Sequence, residues 1–297
     1  MASTSKLFGV LELLSSIIDC CTVDSRRIIA QTNRFHYNFI QDGYRRRIER
    51  ELMTWFTRPE MIAFWSCLDE SEGVIGGSVA INAVISIDNI LDLDIFVPKG
   101  KEKIWGCFLL SLGWGLFFSN AHFSHRQEKF TTQWWKHPNL VGPFLFLWFT
   151  FRINFPYLVQ SAPLRLTIST SPTSILPIIF SASHTAEMTF LTSSHLYSVY
   201  PDLTQNRQSV LIHTPNSCVV RPIDLKCSVY DWDQPCGVVC PSLERSWFRN
   251  REIGCVVWNN GSVDSERVRS LENQAYFWKI GGECDNPLCN AFVRQCN

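Results

Sequence analysis

The run Gly73-Val-Ile-Gly-Gly-Ser-Val-Ala-Ile-Asn-Ala-Val-Ile-Ser-Ile-Asp-Asn-Ile-Leu-Asp-Leu-Asp-Ile95 constrains this chain more than any other feature. Gly76-Gly77-Ser78 is a small-residue turn that opens an apolar stretch at helical spacing. A strand carrying Asp92 and Asp94 follows, and residues i and i+2 of a strand project from one face. Two carboxylates therefore point together beside a turn rich in free backbone N–H groups. Such a pairing suits a divalent cation held next to a phosphate chain. Leu91, Leu93, Ile95 and Val97 make the other face apolar, and Pro98-Lys99-Gly100 ends the strand. The bare pattern also suits two solvent-facing acids on an edge strand, where charge blocks unwanted pairing. Asp88, just upstream, reads as a turn residue.

Gly77-Ser78 followed by Asp92-Leu93-Asp94-Ile95 resembles the signature of the DNA polymerase β-type nucleotidyltransferase fold, over roughly residues 70–100. The resemblance implies that Gly77 and Ser78 bind nucleotide phosphates and that Asp92 and Asp94 bind magnesium. It also implies the two-metal logic of in-line attack on an α-phosphorus. Active members of that fold carry a third acid on a later strand. The best later strand here is Leu164 to Thr170, with Leu164, Leu166 and Ile168 on one face and Arg165, Thr167 and Ser169 on the other. Neither face holds an acid, and Glu187, the nearest downstream candidate, lies in a different segment. The expectation is a nucleotidyltransferase-like protein with impaired catalysis that binds a magnesium–nucleotide.

The segment from Leu7 to Phe56 repeats apolar residues at helical spacing, at Leu11, Leu14, Ile17, Ile18, Ile28, Ile29, Phe35 and Phe39. Thr22-Val23-Asp24-Ser25 gives a turn and a helix start. Three short helices in this span resemble an F-box-like module, which implies docking of residues 7–56 on a Skp1-type adaptor of a ubiquitin ligase. Leu7-Phe8-Gly9 stands where an F-box usually opens with Leu-Pro. A plain helical cap on the following domain fits the same pattern.

Taken whole, the chain resembles an uncharacterised family of basidiomycete-type fungal proteins that join an F-box-like start to a Gly-Ser…Asp-Leu-Asp domain. Further points of likeness are Ser183-His184-Thr185, Glu187-Met188-Thr189-Phe190 and Tyr200-Pro201-Asp202-Leu203-Thr204. This resemblance brings no activity with it.

Composition narrows the classes. The 297 residues carry 27 basic and 27 acidic side chains, which argues against a nucleic-acid-coating protein. The cluster Arg45 to Arg47 is followed by Glu49 and Glu51 and reads as a solvated helix face. The 11 tryptophans favour a packed globule over disorder. The uncharged runs 104–118 and 138–151 fall short of the roughly 20 residues a spanning helix needs. The first fits a helix packed on the sheet; the second reads as a poorly specified insertion. Glu12 interrupts an N-terminal run that otherwise mimics a signal peptide. An intracellular chain, cytoplasmic or nuclear and without a membrane segment, is expected.

Twelve cysteines are present, and Cys218, Cys227, Cys236, Cys240, Cys255, Cys284, Cys289 and Cys296 all fall in the last third. Reduced, buried thiols are the first expectation for such a chain. Cys236-x3-Cys240 and Cys284-x4-Cys289 can also supply four thiolates to a tetrahedral zinc, although the spacing is looser than that of common zinc knuckles. His122-x2-His125 reads as a solvated loop, and Asn260-Gly261-Ser262 as a turn.

The expected architecture is α+β. Residues 1–60 form the helical module. Residues 61–215 form the nucleotidyltransferase-like domain, with strand 91–97, helix 101–113, an irregular aromatic stretch and strand 164–170. Residues 216–297 form a Cys- and Trp-rich extension packed on it, with short strands near 254–258 and 275–280.

Overall fold

Local caps start the N-terminal helices. The helices are α1 (Leu11–Cys20), α2 (Val23–Thr32), α3 (Arg34–Leu52) and α4 (Arg58–Glu70). Thr22 Oγ1 accepts from the Ser25 amide at 3.0 Å, and Asn33 Oδ1 accepts from the His36 amide at 2.8 Å. Each satisfies a first-turn N–H that has no intrahelical partner. At α4 the Thr57 amide donates to Glu60 Oε2 at 2.6 Å, closing a capping box.

The chain then enters the sheet. In order come β1 (Val74–Gly76), α5 (Gly77–Val84), β2 (Asp92–Pro98), α6 (Glu102–Ser111), β3 (Gly115–Phe123), β4 (Lys129–Lys136) and β5 (Arg165–Ser171). Next are α7 (Leu176–Phe180), a 3-10 turn (Thr185–Met188), β6 (Thr189–Leu191), β7 (His195–Ser198), α8 (Pro201–Gln205), β8 (Gln208–Ser209) and β9 (Lys226–Cys227). Last come β10 (Arg245–Ser246), β11 (Gly254–Val257) and β12 (Phe277–Trp278). This computed structural model describes residues 11–85, 92–123, 129–136, 165–182, 184–210, 226–227, 237, 240, 242–248, 253–259, 270–280 and 287–289.

The principal sheet has eight strands in the order β11-β7-β6-β1-β2-β5-β4-β3. Only β2 and β5 run parallel within it; the other pairs are antiparallel. The α+β class is thus as expected, and the strands at Asp92–Pro98 and Arg165–Ser171 fall within one residue of their expected bounds. Leu93, Ile95 and Val97 of β2 are fully buried between half-buried neighbours, the alternation that a half-covered strand requires; in β5 Leu166 and Ile168 are fully buried, and Ser169, Thr170 and Ser171 are buried as well.

Four expectations are corrected. The aromatic stretch after α6 is not irregular: Gly115–Phe123 and Lys129–Lys136 form an antiparallel pair at the sheet edge. The uncharged run 104–118 is therefore split, its first part in α6 and its end in β3. His122 sits in β3 opposite Phe130 rather than in a loop. Arg47 is not on a solvated face: its guanidinium donates to the Ala83 carbonyl at the end of α5 and lies 3.3 Å from Asp19. Burial holds its pKa below the ordinary arginine value. The run 138–151, His125, Cys236, Cys284 and Asn260 to Ser262 lie outside the described residues.

The helices and the sheet share one core. Leu14, Ile18, Ile40, Tyr44, Ile48 and Leu52 join Val79, Leu93, Ile95, Leu166 and Ile168 in a single buried cluster. At its centre, Phe64 meets Phe56 at 4.9 Å and Trp105 at 5.3 Å between ring centroids. Each fully buried aromatic of this kind contributes roughly 1.5–3 kcal/mol through area alone. The helical repeat overstates the buried stripe: Leu11, Ile28 and Phe35 are exposed, whereas Leu14, Ile18, Ile40 and Ile48 are buried. The C-terminal segment enters the framework directly, since β11 pairs with β7 as the far edge of the sheet. Among the described residues no helix is long and apolar enough to cross a membrane.

Candidate functional site

The site is built where β1 turns into α5 beside β2. The register Gly76↔Asp94 sets the two strands in contact at the turn itself. The Phe96 ring lies over Gly76, so that a Cβ there would stand 2.7 Å from Phe96 Cζ. Gly77 has φ +61 and begins α5. A Cβ on Gly77 would run into Asp94 Oδ2 and lie 3.2 Å from Asp94 Cγ. Both constraints exclude a side chain at this position, the first by backbone conformation and the second by space. The Asp94 carboxylate is thus seated on the first residue of α5, where the positive end of the helix dipole favours an anion.

Asp92 and Asp94 are both half-buried on the same face of β2, as the alternation predicts. The Ser78 hydroxyl donates to the Asp92 carbonyl oxygen at 3.0 Å. That bond ties the helix start to the strand and also occupies the Ser78 proton. To contact a phosphate, Ser78 would have to exchange this partner.

A cleft of about 230 Å³ opens at this point, lined by Gly77, Asp94, Phe96, Ile178, Ile179, Ala182 and Glu187. Its volume lies below the roughly 300 Å³ of ordinary small-molecule pockets, so a larger ligand would project beyond it. Of the four residues expected to act together, Gly77 and Asp94 line the cleft; Ser78 and Asp92 are joined to each other beside it by the bond from the Ser78 hydroxyl to the Asp92 carbonyl. Glu187 is a lining residue that sequence reasoning set aside as lying in another segment. The 3-10 turn carrying it leads into β6, and β6 pairs with β1 through Ile75↔Leu191, which brings the turn back to Gly77. Glu187 Oε2 lies 3.8 Å from Nδ1 of fully buried His184. Only sheet pairing discloses this neighbourhood.

On the other side of β2 from β1 lies its parallel neighbour β5. There Arg165 is the register partner of Asp92 and Thr167 that of Asp94. Among the described residues no three His, Cys, Asp or Glu side chains converge closely enough to share a metal ion. The two carboxylates on β2 fit a single hard cation that keeps waters or phosphate oxygens in its other positions. Compared with models of known protein families and with curated proteins, the chain matches none.

Proposed function

We propose that this protein binds a magnesium–nucleotide at the β1–α5 turn as a nucleotidyltransferase-like protein whose transfer chemistry is impaired. The observation that carries the reading is the seating of Asp94 against Gly77 at the start of α5, with Asp92 two residues away on the same face. The turn offers N–H groups and a helix dipole to phosphate oxygens. Asp92 and Asp94 would hold the cation that bridges those oxygens, and magnesium would supply charge neutralisation there. Phe96, Ile178 and Ile179 give the cleft an apolar wall. Transfer requires a base to take the proton of an attacking hydroxyl; β5 offers Thr167 opposite Asp94 instead of a carboxylate, and Glu187, the acid that does line the cleft, lies 3.8 Å from buried His184.

The test is calorimetric titration with nucleoside triphosphates, with and without Mg²⁺, on wild type and the Asp92→Asn/Asp94→Asn double variant. Mg²⁺-dependent binding that disappears in a folded variant supports the reading. No binding by the folded wild type overturns it.

A second reading, a non-enzymatic F-box-like adaptor, is favoured by one observation. Leu11, Leu13, Ile28 and Phe35 are exposed on α1–α3, whose Leu14, Ile18, Ile40 and Ile48 join the buried core. Co-purification with a Skp1-type adaptor that is lost on Ile28→Asp and Phe35→Asp would support it. Adaptor binding that is absent, or indifferent to both changes, would remove it.

A further inference from the structure

We propose that Cys240 and Cys289 form a redox couple that closes to a disulfide and fastens the C-terminal turn to β10. The two residues are 49 apart in the chain, yet their sulfurs lie 3.3 Å apart. Both are buried, so the contact is a packed one rather than a chance meeting on the surface. Closing the bond shortens the sulfur separation to roughly 2.05 Å, a shift that side-chain rotation largely supplies.

The Cys240 side of the pair is held in place. The Cys240 carbonyl accepts from Arg245 Nη2 at 2.9 Å, and the Leu243 carbonyl accepts from Arg245 Nη1 at 2.7 Å. Arg245 is buried over the Tyr200 ring and is paired in register with Trp278. Ser242 Oγ lies 3.3 Å from the Cys240 sulfur, where its hydroxyl can donate to a thiolate. Trp247 and Trp278 belong to the same buried cluster as Ile179 of the cleft wall. Among the described residues no third His, Cys, Asp or Glu joins the two sulfurs to complete a metal site.

The oxidant is a low-molecular-weight disulfide. The Cys289 thiolate attacks one of its sulfurs and expels one small thiolate, giving a mixed disulfide on Cys289. The Cys240 thiolate then attacks the Cys289 sulfur and expels the second. The protein loses two protons and two electrons, and the oxidant leaves as two thiols.

The experiment equilibrates the full chain with oxidised or reduced glutathione, followed by alkylation, peptide mapping and thermal melts. The exposed Cys20 and Cys107 report labelling efficiency. The expected result is a cross-linked peptide pair containing Cys240 and Cys289, lighter by about 2 Da than the two reduced peptides. A rise in Tm of roughly 5–10 °C should accompany it, because the bond closes a long loop. Cys240→Ser and Cys289→Ser should each abolish the pair and the rise. If a variant fails to fold, the mapping of wild type decides alone. Both thiols remaining alkylatable in oxidised glutathione would overturn the proposal. So would pairing of either with another cysteine, or stoichiometric zinc that protects both.

Discussion

The carboxylate of Asp94 occupies the space in which a side chain on Gly77 would begin. One strand residue and one helix residue are thereby locked into a single device, and the lock makes the site testable by small changes.

Gly77→Ala should be costly in both folding and binding. The methyl group meets Asp94, and φ +61 is disfavoured for any residue with a Cβ. A loss of about 1–3 kcal/mol in urea unfolding is expected. Asp94→Gly in the same background should recover only the part due to the clash.

Introducing an acid at Thr167 should strengthen the cation site. Thr167 is half-buried and is the register partner of Asp94. Thr167→Asp should destabilise the metal-free protein by about 0.5–1 kcal/mol through like-charge repulsion across the strands. Excess Mg²⁺ should reverse that loss, and calorimetry should show Mg²⁺ affinity raised at least several-fold. An equal loss with and without Mg²⁺ would count against a cation at this face.

The joint between the helices and the sheet should be the most sensitive part of the core. Phe64→Ala should cost about 3–5 kcal/mol, because a fully buried ring contacting Phe56 and Trp105 leaves a cavity. Ser71→Ala removes the acceptor of the Trp105 indole N–H at 2.8 Å. It should cost about 1–3 kcal/mol by leaving a buried donor unmet. Chemical denaturation followed by tryptophan fluorescence measures both.

Stability should fall at both ends of the pH range through one neighbourhood. Burial lowers the pKa of His195 below 6.5, with Glu272 opposing the shift. The unfolded chain then binds the extra proton first, so stability is complete above about pH 6.5 and declines as pH falls below it. Burial, reinforced by Glu272, pushes Cys255 up from 9.0 to about 12. Stability from that thiol is complete below about pH 9 and erodes as pH rises toward 12. Thermal melts across pH should show His195→Phe flattening the acid limb and Cys255→Ala the alkaline limb.

Much of the local structure was legible in the chain. The helix start at Thr22, the alternation of β2 and the start of α5 at Gly77 all depend on residues close in sequence. The hairpin of β3 and β4 was not legible, because its aromatic residues match a buried helix as well as a strand. The exposure of Ile28 and Phe35 was hidden too, since a helical repeat does not say how wide the covering surface is.

By itself, the sequence determined that Gly77 begins a helix and that Asp92 and Asp94 share one face of a strand, because periodicity and glycine chemistry act over a few residues. Tertiary structure alone decided that Glu187 stands in the same cleft, that Thr167 and Arg165 are the register partners of Asp94 and Asp92, and that Cys240 meets Cys289. These are pairings between distant segments. They are fixed by which strand edges hydrogen-bond and which side chains fill a common core, and no local pattern encodes that choice.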